Sequence, residues 1–306
     1  MRRSVRAAPP PAAGLLGTAV LLVALLCGCS DPPSGAGPPA DPGIRIASYD
    51  FPENQTLAEV YAEALRRAGI EVTVQHGIGT REVVFPGLEQ GVVDVVVDYL
   101  GTTAEFLEAG AGSGHDQPGP LREDLAARLA PRGLTVLAAA RAEDQNGFVV
   151  LTTLAERLGV TKLSQLAPVA PSLVFGGPPE CAGRPFCLPG LREVYGVTFA
   201  EVRSMPSRAA TVEALLSGQV DVGLLETTDP RLSDASLLLL LDDRSLQPRE
   251  NVVPIVRTAV ADDRLRGALD AVSAELTTLD LVGLNRAVAD DGASPREAAL
   301  RWWDGR

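Results

Sequence analysis

The hydrophobic and polar positions of this chain follow two spacings, one typical of buried strands and the other of amphipathic helices. Residues 44–49 (IRIASY) form a mostly apolar run that predicts a strand. Apolar residues then recur three and four positions apart until Gly69, where a glycine cap would end a helix. The order Asp50, Pro52, Glu53 is typical of a helix start, with Asp50 as the expected N-cap. The segment is therefore predicted to be a strand followed by a helix.

A second copy of this pattern begins 127 positions further along the chain. LEQGVVDVVVDYLGTT at 88–103 and LLSGQVDVGLLETTD at 215–229 each place a glycine before a strand-like run with an early aspartate. At the end of that run, Tyr99 in the first copy corresponds to Glu226 in the second. The other corresponding pairs are Gly69 and Gly196, Gly91 and Gly218, and Asp94 and Asp221. A chance likeness of two ordinary α/β turns is the alternative, and the shared offset argues against it.

Each copy predicts the order β-α-β-α-β, which is typical of a mostly parallel sheet flanked by helices. We therefore predict an α/β fold of two lobes in a clamshell arrangement. Ligands of open parallel sheets bind at the carboxyl ends of the strands, so we expect one cleft, with Tyr99 and Glu226 facing each other across it. The expected division is lobe 1 at 44–142 plus 251–306, lobe 2 at 143–250, and hinge crossings near 141–147 and 241–251.

The first residues have the features of an export signal rather than of a folded domain. Three arginines occur among the first six residues, and the apolar stretch at 15–26 is too short to span a bilayer comfortably. It ends in LCGC, which resembles a bacterial lipobox, so we expect a lipoprotein signal peptide at 1–28 and acylation of Cys29. A Pro/Gly linker at 29–43 would then tether the fold to the outer face of the cell membrane. A signal cleaved elsewhere, or a plain N-terminal anchor, is the alternative.

The charge and the remaining motifs narrow the possible functions. The chain has a formal net charge of −12, and no basic patch is present that could hold nucleic acid. Cys181 and Cys187 are an even pair in an exported protein, which favours a disulfide shaping the loop PECAGRPFC. A metal site is the rival interpretation, but His76 and His115 lie elsewhere, so we expect neither a metal nor a cofactor. The sequence has no G-x-S-x-G, P-loop or H-E-x-x-H motif, which argues against an enzyme.

Four segments together resemble the osmoprotectant (glycine betaine, choline, carnitine) substrate-binding proteins of ABC importers. They are IRIASYDFPENQTLAEVYAEALRRAGI, GIGTREVVFPGLEQGVVDVVVDYLGTT, QNGFVVLTTLAERLGV and LLLDDRSLQPRENVVPIVR. The resemblance extends from Ile44 to Trp303, nearly the whole chain after the linker. It implies a type II periplasmic-binding-protein fold, an extracytoplasmic location and a small-molecule solute as ligand. It also implies an ABC permease and its ATPase as partners, and binding without catalysis.

The resemblance further implies a cage of aromatic side chains around a quaternary ammonium group, with basic, hydroxyl and backbone groups clamping a carboxylate. VDYLGTT stands where the family has PEYTGT, so Tyr99 keeps the aromatic residue and Thr102 the hydroxyl. Arg184 approximates the basic clamp, and Asn146 lies at the usual crossing motif. The full set of predicted ligand contacts is Tyr49, Phe51, Thr80, Tyr99, Thr102, Asn146, Phe148, Arg184 and Glu226.

The chain departs from the family pattern at several cage positions. Tyr49 stands where the family usually has Lys, and Gly147 stands where an aromatic residue is often found. Glu226 replaces an aromatic residue at the end of its strand. We therefore expect a partial, rearranged cage. It is built at most from Tyr49, Phe51, Phe85, Tyr99 and Phe148.

Glu226 admits two interpretations. A carboxylate in a closing cleft is costly unless it is paired. A ligand cation with N–H groups would pair with it well, in which case the solute is a non-betaine cation. Alternatively, Glu226 pairs internally with Arg184, Arg203 or Arg208 and indicates nothing about the ligand. A ligand sensor that serves no transporter is the other function that the sequence leaves open.

Overall fold

The computed structural model describes residues 43–107 and 118–306. The predicted signal peptide, Cys29 and the linker up to residue 42 lie outside these ranges, as does His115. Within the described ranges the chain forms two five-stranded sheets, each flanked by helices. No helix in these ranges is both long enough and apolar enough to cross a membrane.

Lobe 1 is built around the first sheet. Its strands are β1 (Ile44–Ala47), β2 (Val72–Gln75), β3 (Val95–Tyr99), β4 (Leu134–Val136) and β10 (Val252–Arg257). Its helices are α1 (Pro52–Arg67), α2 (Arg81–Glu89), α3 (Leu100–Phe106), α4 (Pro118–Leu129), α8 (Asp263–Glu275), α9 (Thr278–Ala289) and α10 (Pro295–Asp304). The strand order is β2-β1-β3-β10-β4. β1 runs parallel to β2 and β3, whereas β10 runs antiparallel to both of its neighbours.

Lobe 2 is built around the second sheet. Its strands are β5 (Asn146–Leu151), β6 (Val174–Gly177), β7 (Glu201–Ser204), β8 (Val222–Glu226) and β9 (Leu237–Leu239). Its helices are α5 (Thr152–Leu158), α6 (Leu188–Tyr195) and α7 (Arg208–Leu216). The strand order is β7-β6-β8-β5-β9, and β5 is the reversed strand. Each lobe is therefore a mostly parallel sheet, as the sequence predicts.

The two lobes repeat one scaffold at the predicted offset. β3 and β8 correspond over their whole length and end at Tyr99 and Glu226. Gly69 follows α1 and Gly196 follows α6, with φ of 73° and 68°. This left-handed backbone is open to glycine without a steric penalty, so both helices end where the sequence pattern predicts. The predicted internal repeat is confirmed.

Two local predictions are wrong. The N-cap of α1 is Phe51 rather than Asp50, and no side-chain hydrogen bond caps this helix. Asp50 is instead exposed to solvent. In lobe 2, the offset of 127 predicts that the strand equivalent to β1 begins at residue 171, but it begins only at Val174. The preceding residues Ala170–Ser172 form a short 3-10 turn, which the proline at its second position favours.

Asp94 and Asp221 fasten equivalent strand starts in the two lobes. Asp94 Oδ2 accepts a hydrogen bond from the backbone N–H of Arg45 at 3.0 Å, and Asp221 Oδ2 accepts one from the backbone N–H of Val174 at 2.8 Å. Asp94 also pairs with the guanidinium groups of Arg45 at 2.7 Å and Arg257 at 2.9 Å. Asp94 in lobe 1 therefore belongs to an ionic network, whereas its equivalent in lobe 2, Asp221, makes a hydrogen bond to the backbone.

The C-terminal helices return to lobe 1 and pack against α1. Trp302 belongs to the hydrophobic core that α1 shares with β1 and β3. The indole N–H of Trp303 donates to the carbonyl oxygen of Val60 at 3.0 Å. The two tryptophans therefore anchor α10 to α1.

The chain crosses between the sheets twice, once before β5 and once before β10. The contacts between the crossings are the N–H of Val252 to the carbonyl oxygen of Ala142 (3.0 Å), the N–H of Asp144 to that of Glu250 (3.1 Å), and an antiparallel bridge between Glu143 and Asn251. We call this pair of segments, 140–144 and 250–252, the crossing ribbon. It overlaps the two stretches, 141–147 and 241–251, that the sequence predicts as hinge crossings.

Candidate functional site

Three aromatic side chains stack at the carboxyl ends of β1 and β3. The ring centroid of Phe51 lies 6.1 Å from that of Tyr49 and 6.2 Å from that of Tyr99, with interplanar angles of 15° and 28°. Phe51 occupies the middle because it is the extended N-cap residue of α1, directly after β1. It is 36% exposed, whereas Tyr49 and Tyr99 are buried. We call these three residues the aromatic stack; all three are predicted ligand contacts.

The hydroxyl of Tyr49 donates to Asp98 Oδ2 at 2.5 Å. Asp98 is fully buried and also forms an ion pair with Arg81, the first residue of α2, at 2.5 Å. The Arg81 guanidinium lies 5.0 Å from the ring centroid of Tyr49 and donates to the hydroxyl of Thr102 at 3.0 Å. Burial and the neighbouring Asp98 charge raise the pKa of Tyr49 well above its usual value. The Tyr49 end of the stack is therefore fixed by Asp98 and Arg81, which form an ion pair with each other.

The hydroxyl of Tyr99 donates to a different carboxylate, Glu53 Oε1, at 2.6 Å. Glu53 lies in the first turn of α1 and is buried. Its Oε2 accepts hydrogen bonds from Asn285 Nδ2 at 2.6 Å and from the hydroxyl of Thr228 in lobe 2 at 2.7 Å. Burial raises the pKa of Glu53. The sequence pattern suggests a capping role for Glu53, but the structure makes it a contact between the lobes.

Asp144 lies on the crossing ribbon beside Glu53. Its Oδ1 is 2.9 Å from the hydroxyl of Thr228 and accepts the backbone N–H of the same residue at 3.2 Å. Burial, followed by the charges of Glu53 and Glu226, raises the pKa of Asp144 well above its usual value. Glu53, Thr228 and Asp144 therefore form one polar cluster that joins both lobes and the first crossing.

Glu226 ends β8 and pairs with Arg208, the first residue of α7. Arg208 Nε lies 2.7 and 2.8 Å from the two carboxylate oxygens, and its terminal nitrogen approaches one of them at 2.5 Å. This is one of the internal partners that the sequence offers for Glu226. The hydroxyl of Tyr99, the equivalent residue in lobe 1, donates to Glu53. Among the described residues, Glu226 therefore belongs to an ion pair.

Glu250, on the second crossing, caps the short helix that follows Tyr99. Its carboxylate accepts the backbone N–H groups of Gly101 and Thr102 at 3.0 Å and lies 3.2 Å from the Thr102 hydroxyl. Burial raises the pKa of Glu250 to about 7. Thr102, a predicted ligand contact, is thus held between Glu250 and Arg81.

The other predicted polar contacts lie at the margins of this cluster. Thr80 is exposed and precedes α2 as its N-cap residue. Asn146 begins β5, opposite Glu226, and donates to Gln247 Oε1 at 3.3 Å. Arg184, in lobe 2, is half exposed and lies 3.7 Å from Glu82 at the start of α2 in lobe 1. Arg184 is therefore a second link between the lobes.

Phe148 and Phe85, two predicted members of the cage, lie in hydrophobic cores. Phe148 is 1% exposed and packs against Phe175 in the core of lobe 2. Phe85 is fully buried and packs against Phe106 in lobe 1. Both faces of the sheet at β5 are covered by hydrophobic clusters, so an aromatic side chain on this strand packs into a core. The structure brings together only Tyr49, Phe51 and Tyr99 of the predicted cage.

Cys181 and Cys187 form a disulfide, with their Cα atoms 5.3 Å apart. Both cysteines are buried in the core of lobe 2, and Arg184 lies in the loop that they close. Among residues 43–107 and 118–306, no group of three or more His, Cys, Asp or Glu side chains could hold a metal ion.

Carboxylates outnumber arginines around these strand ends. The carboxylates are those of Glu53, Asp98, Asp144, Glu226 and Glu250, and the arginines paired among them are Arg81 and Arg208. An excess of acidic groups beside aromatic faces gives a negative potential that favours a cation. Sequence analysis missed Glu53, Asp98 and Asp144, whose partners lie far away along the chain. The arginines were detectable, since each opens a helix at the repeat offset.

Comparison with known proteins relates this arrangement to one group of proteins. The model of a family described as the substrate binding domain of ABC-type glycine betaine transport systems matches residues 42–305. A glycine-betaine-binding protein of Pseudomonas aeruginosa is 29% identical over 276 residues, covering 84% of this chain and 85% of that protein. The glycine betaine-binding protein YehZ of Escherichia coli is 24% identical over 281 residues, covering 84% and 88%.

Solved structures have the same fold. A glycine betaine/carnitine/choline ABC transporter structure superposes with a TM-score of 0.71 at 19% identity, covering 86% of this chain and 98% of that one. Lactococcal OpuAC, closed on glycine betaine, superposes with a TM-score of 0.61 at 16% identity, covering 87% and 96%. These similarities show the two-lobed clamshell fold of periplasmic binding proteins.

Proposed function

Because this chain belongs to the family of substrate-binding domains of ABC-type glycine betaine transport systems, we propose that it binds a small quaternary-ammonium solute outside the cytoplasm. It would deliver this solute to an ABC permease and its ATPase. Proteins of this family bind and present solutes rather than convert them. The glycine-betaine-binding protein of Pseudomonas aeruginosa supports betaine or a close relative as the ligand.

The aromatic stack is the observation that carries this proposal. A quaternary ammonium group has no N–H to donate, so its binding depends on aromatic faces and on nearby negative charge. Each good cation–π contact contributes about 0.5–2 kcal/mol. Phe51 offers the exposed face, and the hydroxyls of Tyr49 and Tyr99 are oriented by Asp98 and Glu53.

The polar end of the solute has candidate contacts in both lobes. The guanidinium of Arg184 is half exposed, and its ion pair with Glu82 is loose at 3.7 Å. We propose that it contacts the carboxylate or hydroxyl end of the solute, together with Thr80, Thr102 and Asn146. Phe148 is not included, because its side chain is buried in the core.

Glu226 contributes negative charge to the proposed site without being a free acceptor for an N–H cation. Its two oxygens are both engaged by Arg208. A solute with amine or guanidinium groups would have to displace this ion pair. The geometry therefore favours the quaternary-ammonium interpretation over a non-betaine cation bound through Glu226.

We also propose the cellular arrangement that the sequence predicts. A signal peptide at 1–28 and a lipid on Cys29 would hold the protein at the outer face of the cell membrane. Lobe 1 at 44–142 plus 251–306 and lobe 2 at 143–250 would rotate about the two crossings. The mass of the membrane-extracted protein tests the anchor: a diacylated or triacylated Cys29 is expected, and an unmodified N-terminus would contradict it.

Calorimetric titration of the purified protein with glycine betaine, choline, carnitine, arginine and spermidine tests the solute class. A ligand at 100 times its Kd raises the free energy of unfolding by about 2.7 kcal/mol, so a thermal-shift screen detects it first. We expect binding of at least one quaternary-ammonium compound. Phe51→Leu keeps an apolar side chain but removes the aromatic face, so Kd should rise about 2- to 30-fold.

Phe199→Leu is the matched control. Phe199 stacks on Phe175 in lobe 2 at 5.2 Å and is likewise only partly buried. This variant should change Kd less than twofold. Equal effects of the two variants would remove the aromatic stack from the site. Binding of arginine or spermidine alone would replace the quaternary-ammonium solute with an N–H cation.

A further inference from the structure

Glu53, Thr228 and Asp144 come from three separate parts of the fold. Glu53 lies in α1 of lobe 1, Thr228 follows β8 in lobe 2, and Asp144 lies on the crossing ribbon. The Thr228 hydroxyl is 2.7 Å from Glu53 Oε2 and 2.9 Å from Asp144 Oδ1. Thr228 is fully buried and Glu53 is 7% exposed, whereas Asp144 is partly buried.

A count of hydrogen atoms shows that one is missing if both carboxyl groups are ionised. A threonine hydroxyl carries a single hydrogen and can donate to only one of the two carboxylates. Asp144 Oδ1 also accepts the backbone N–H of Thr228 at 3.2 Å and the hydroxyl of Thr227 at 3.3 Å, but these donors place no hydrogen between it and the Thr228 hydroxyl oxygen. The other donor near the hydroxyl, Asn285 Nδ2 at 3.1 Å, does not supply a hydrogen to Asp144. Both contacts of the Thr228 hydroxyl are hydrogen bonds when one carboxyl of the pair carries a proton.

The charges around the pair agree with this count. Within the described residues, neither Glu53 nor Asp144 forms an ion pair with an Arg, Lys or His. A buried carboxylate without a cationic partner is costly, and it takes up a proton instead. Burial raises the pKa of both groups, the charge of Glu53 further raises the pKa of Asp144, and the charge of Glu226 further raises the pKa of Glu53.

The groups that face the pair leave its negative charge uncompensated. Element by element, they are Tyr99 and Asp98 on β3, Glu226 on β8, Arg208 on α7, Asn285 on α9, and Glu143 and Glu250 on the crossing ribbon. Arg208 is the cation among them, and Glu226 already occupies it. Asp98 likewise has its own partner in Arg81.

We propose that Glu53 and Asp144 share one proton through the Thr228 hydroxyl, and that this proton holds the two lobes together. Loss of the proton leaves two carboxylates around one hydroxyl hydrogen. Separation of the lobes relieves the repulsion between these two carboxylates, because Thr228 moves away with lobe 2 while Glu53 stays with lobe 1. The closed arrangement thus binds one proton that the open arrangement releases. This inference goes beyond the proposed function, since it concerns the protein without its solute.

Single-molecule fluorescence transfer on the unliganded full chain tests this proposal. Dyes attached at Val92→Cys in lobe 1 and Leu216→Cys in lobe 2 occupy positions that are more than half exposed. We expect the closed-to-open ratio to fall as the pH rises from 5 to 9, by up to tenfold per pH unit where the pair titrates. A ratio that does not change with pH overturns the proposal.

Two isosteric variants identify the groups that hold the proton. Glu53→Gln and Asp144→Asn each supply permanently the missing donor, so the closed-to-open ratio should become independent of pH and stay high. Thr228→Val removes the bridging hydroxyl and should reduce the closed fraction at every pH. It keeps the test valid if either isosteric variant fails to fold.

Two controls separate this proton from other charges. Glu82→Gln removes the link to Arg184, an exposed ion pair that involves no shared proton, and should keep the pH dependence of the parent protein. Glu250→Gln removes another carboxyl with a raised pKa and should also keep the pH dependence. Loss of the pH dependence in Glu250→Gln, with retention in Glu53→Gln, assigns the effect to Glu250 and contradicts the proposal.

Discussion

Arg81 and Arg208 occupy equivalent places in the two lobes, 127 positions apart, and each opens a helix. Both pair with a carboxylate at the end of the neighbouring central strand at 2.5 Å. In lobe 1 the partner Asp98 is fully buried, whereas in lobe 2 the side chains of Arg208 and Glu226 are both 29% exposed. The same ion pair is therefore part of a core in one lobe and of a surface in the other.

The position of the carboxylate on its strand explains this difference. Asp98 is the next-to-last residue of β3, which leaves the last position to Tyr99. In β8 the order is reversed: Leu225 is buried in the core, and Glu226 takes the last position. Because successive side chains of a strand point to opposite faces, a shift of one residue exchanges a core group for a site group. The scaffold of the repeat is kept, while the residues at its strand ends have diverged.

The two arginines should therefore differ most in their effect on stability. Arg81→Met leaves Asp98 buried without a cationic partner, which should lower the free energy of unfolding by about 3–5 kcal/mol. Arg208→Met leaves a partly exposed Glu226 that water can solvate, at a cost of about 1 kcal/mol or less. Urea unfolding of both variants measures the difference. Equal losses would show that burial does not separate the two pairs.

The equivalent aspartates give the next largest contrast. Asp94→Ala removes a buried carboxylate that holds two guanidinium groups and a backbone N–H, so we expect a loss of about 3 kcal/mol. Asp221→Ala removes the backbone contact alone, at a cost of about 1 kcal/mol. The same unfolding experiment compares them, and a larger loss for Asp221→Ala would reverse the comparison.

Glu250 makes the stability of lobe 1 depend on pH. Its pKa of about 7 in the folded protein is above the ordinary value of a glutamate, so the folded state binds this proton more tightly than the unfolded chain does. This contribution to stability is complete below the unfolded pKa and is lost as the pH rises through about 7. The loss between pH 4.5 and 8 is on the order of 2–3 kcal/mol.

Glu250→Gln should remove this part of the pH dependence, as thermal unfolding at several pH values would show. Glu143→Gln, on the opposite segment of the crossing ribbon, is the control, since Glu143 is partly exposed and only loosely paired with Arg249. An unchanged pH slope in Glu250→Gln would mean that other carboxyl groups are responsible.

The smallest contrast is between the two tyrosines of the aromatic stack. Tyr99→Phe leaves the buried Oε1 of Glu53 without its hydrogen bond, which should lower the free energy of unfolding by about 1–2 kcal/mol. Tyr49→Phe should cost less than about 1 kcal/mol, because Asp98 keeps Arg81 and the backbone N–H of Tyr99. Chemical denaturation of the two variants would distinguish these values, and a larger loss for Tyr49→Phe would contradict them.

The sequence predicts the scaffold well because short stretches of neighbouring residues determine where its helices and strands end. The glycines that end α1 and α6, and the strand ends at Tyr99 and Glu226, follow from short patterns and from their repetition. The site is different, since its hydrogen bonds join residues far apart in the chain. Glu53 bonds to Thr228 and Asn285, which are 175 and 232 positions away. A glutamate in a first helical turn is an ordinary capping residue until such partners are known.

Phe148 shows a second limit of sequence analysis. It lies on β5, a central strand that is apolar along both faces, so hydrophobic alternation does not tell which side meets the core. The family pattern suggests an aromatic residue near this position, but the side chain beside Gly147 packs inward against Phe175. The face of the sheet to which the Phe148 side chain points is determined by the placement of the neighbouring strands.

The crossing ribbon also has a mechanical consequence. Two segments that are hydrogen-bonded to each other resist stretching and sliding, but a two-stranded ribbon twists readily. For the proposed rotation of the lobes about the crossings, this leaves a single axis and opposes translation of one lobe along the other. We then expect opening and closing to follow one arc, which would bring the strand ends of the two lobes together in the same alignment each time.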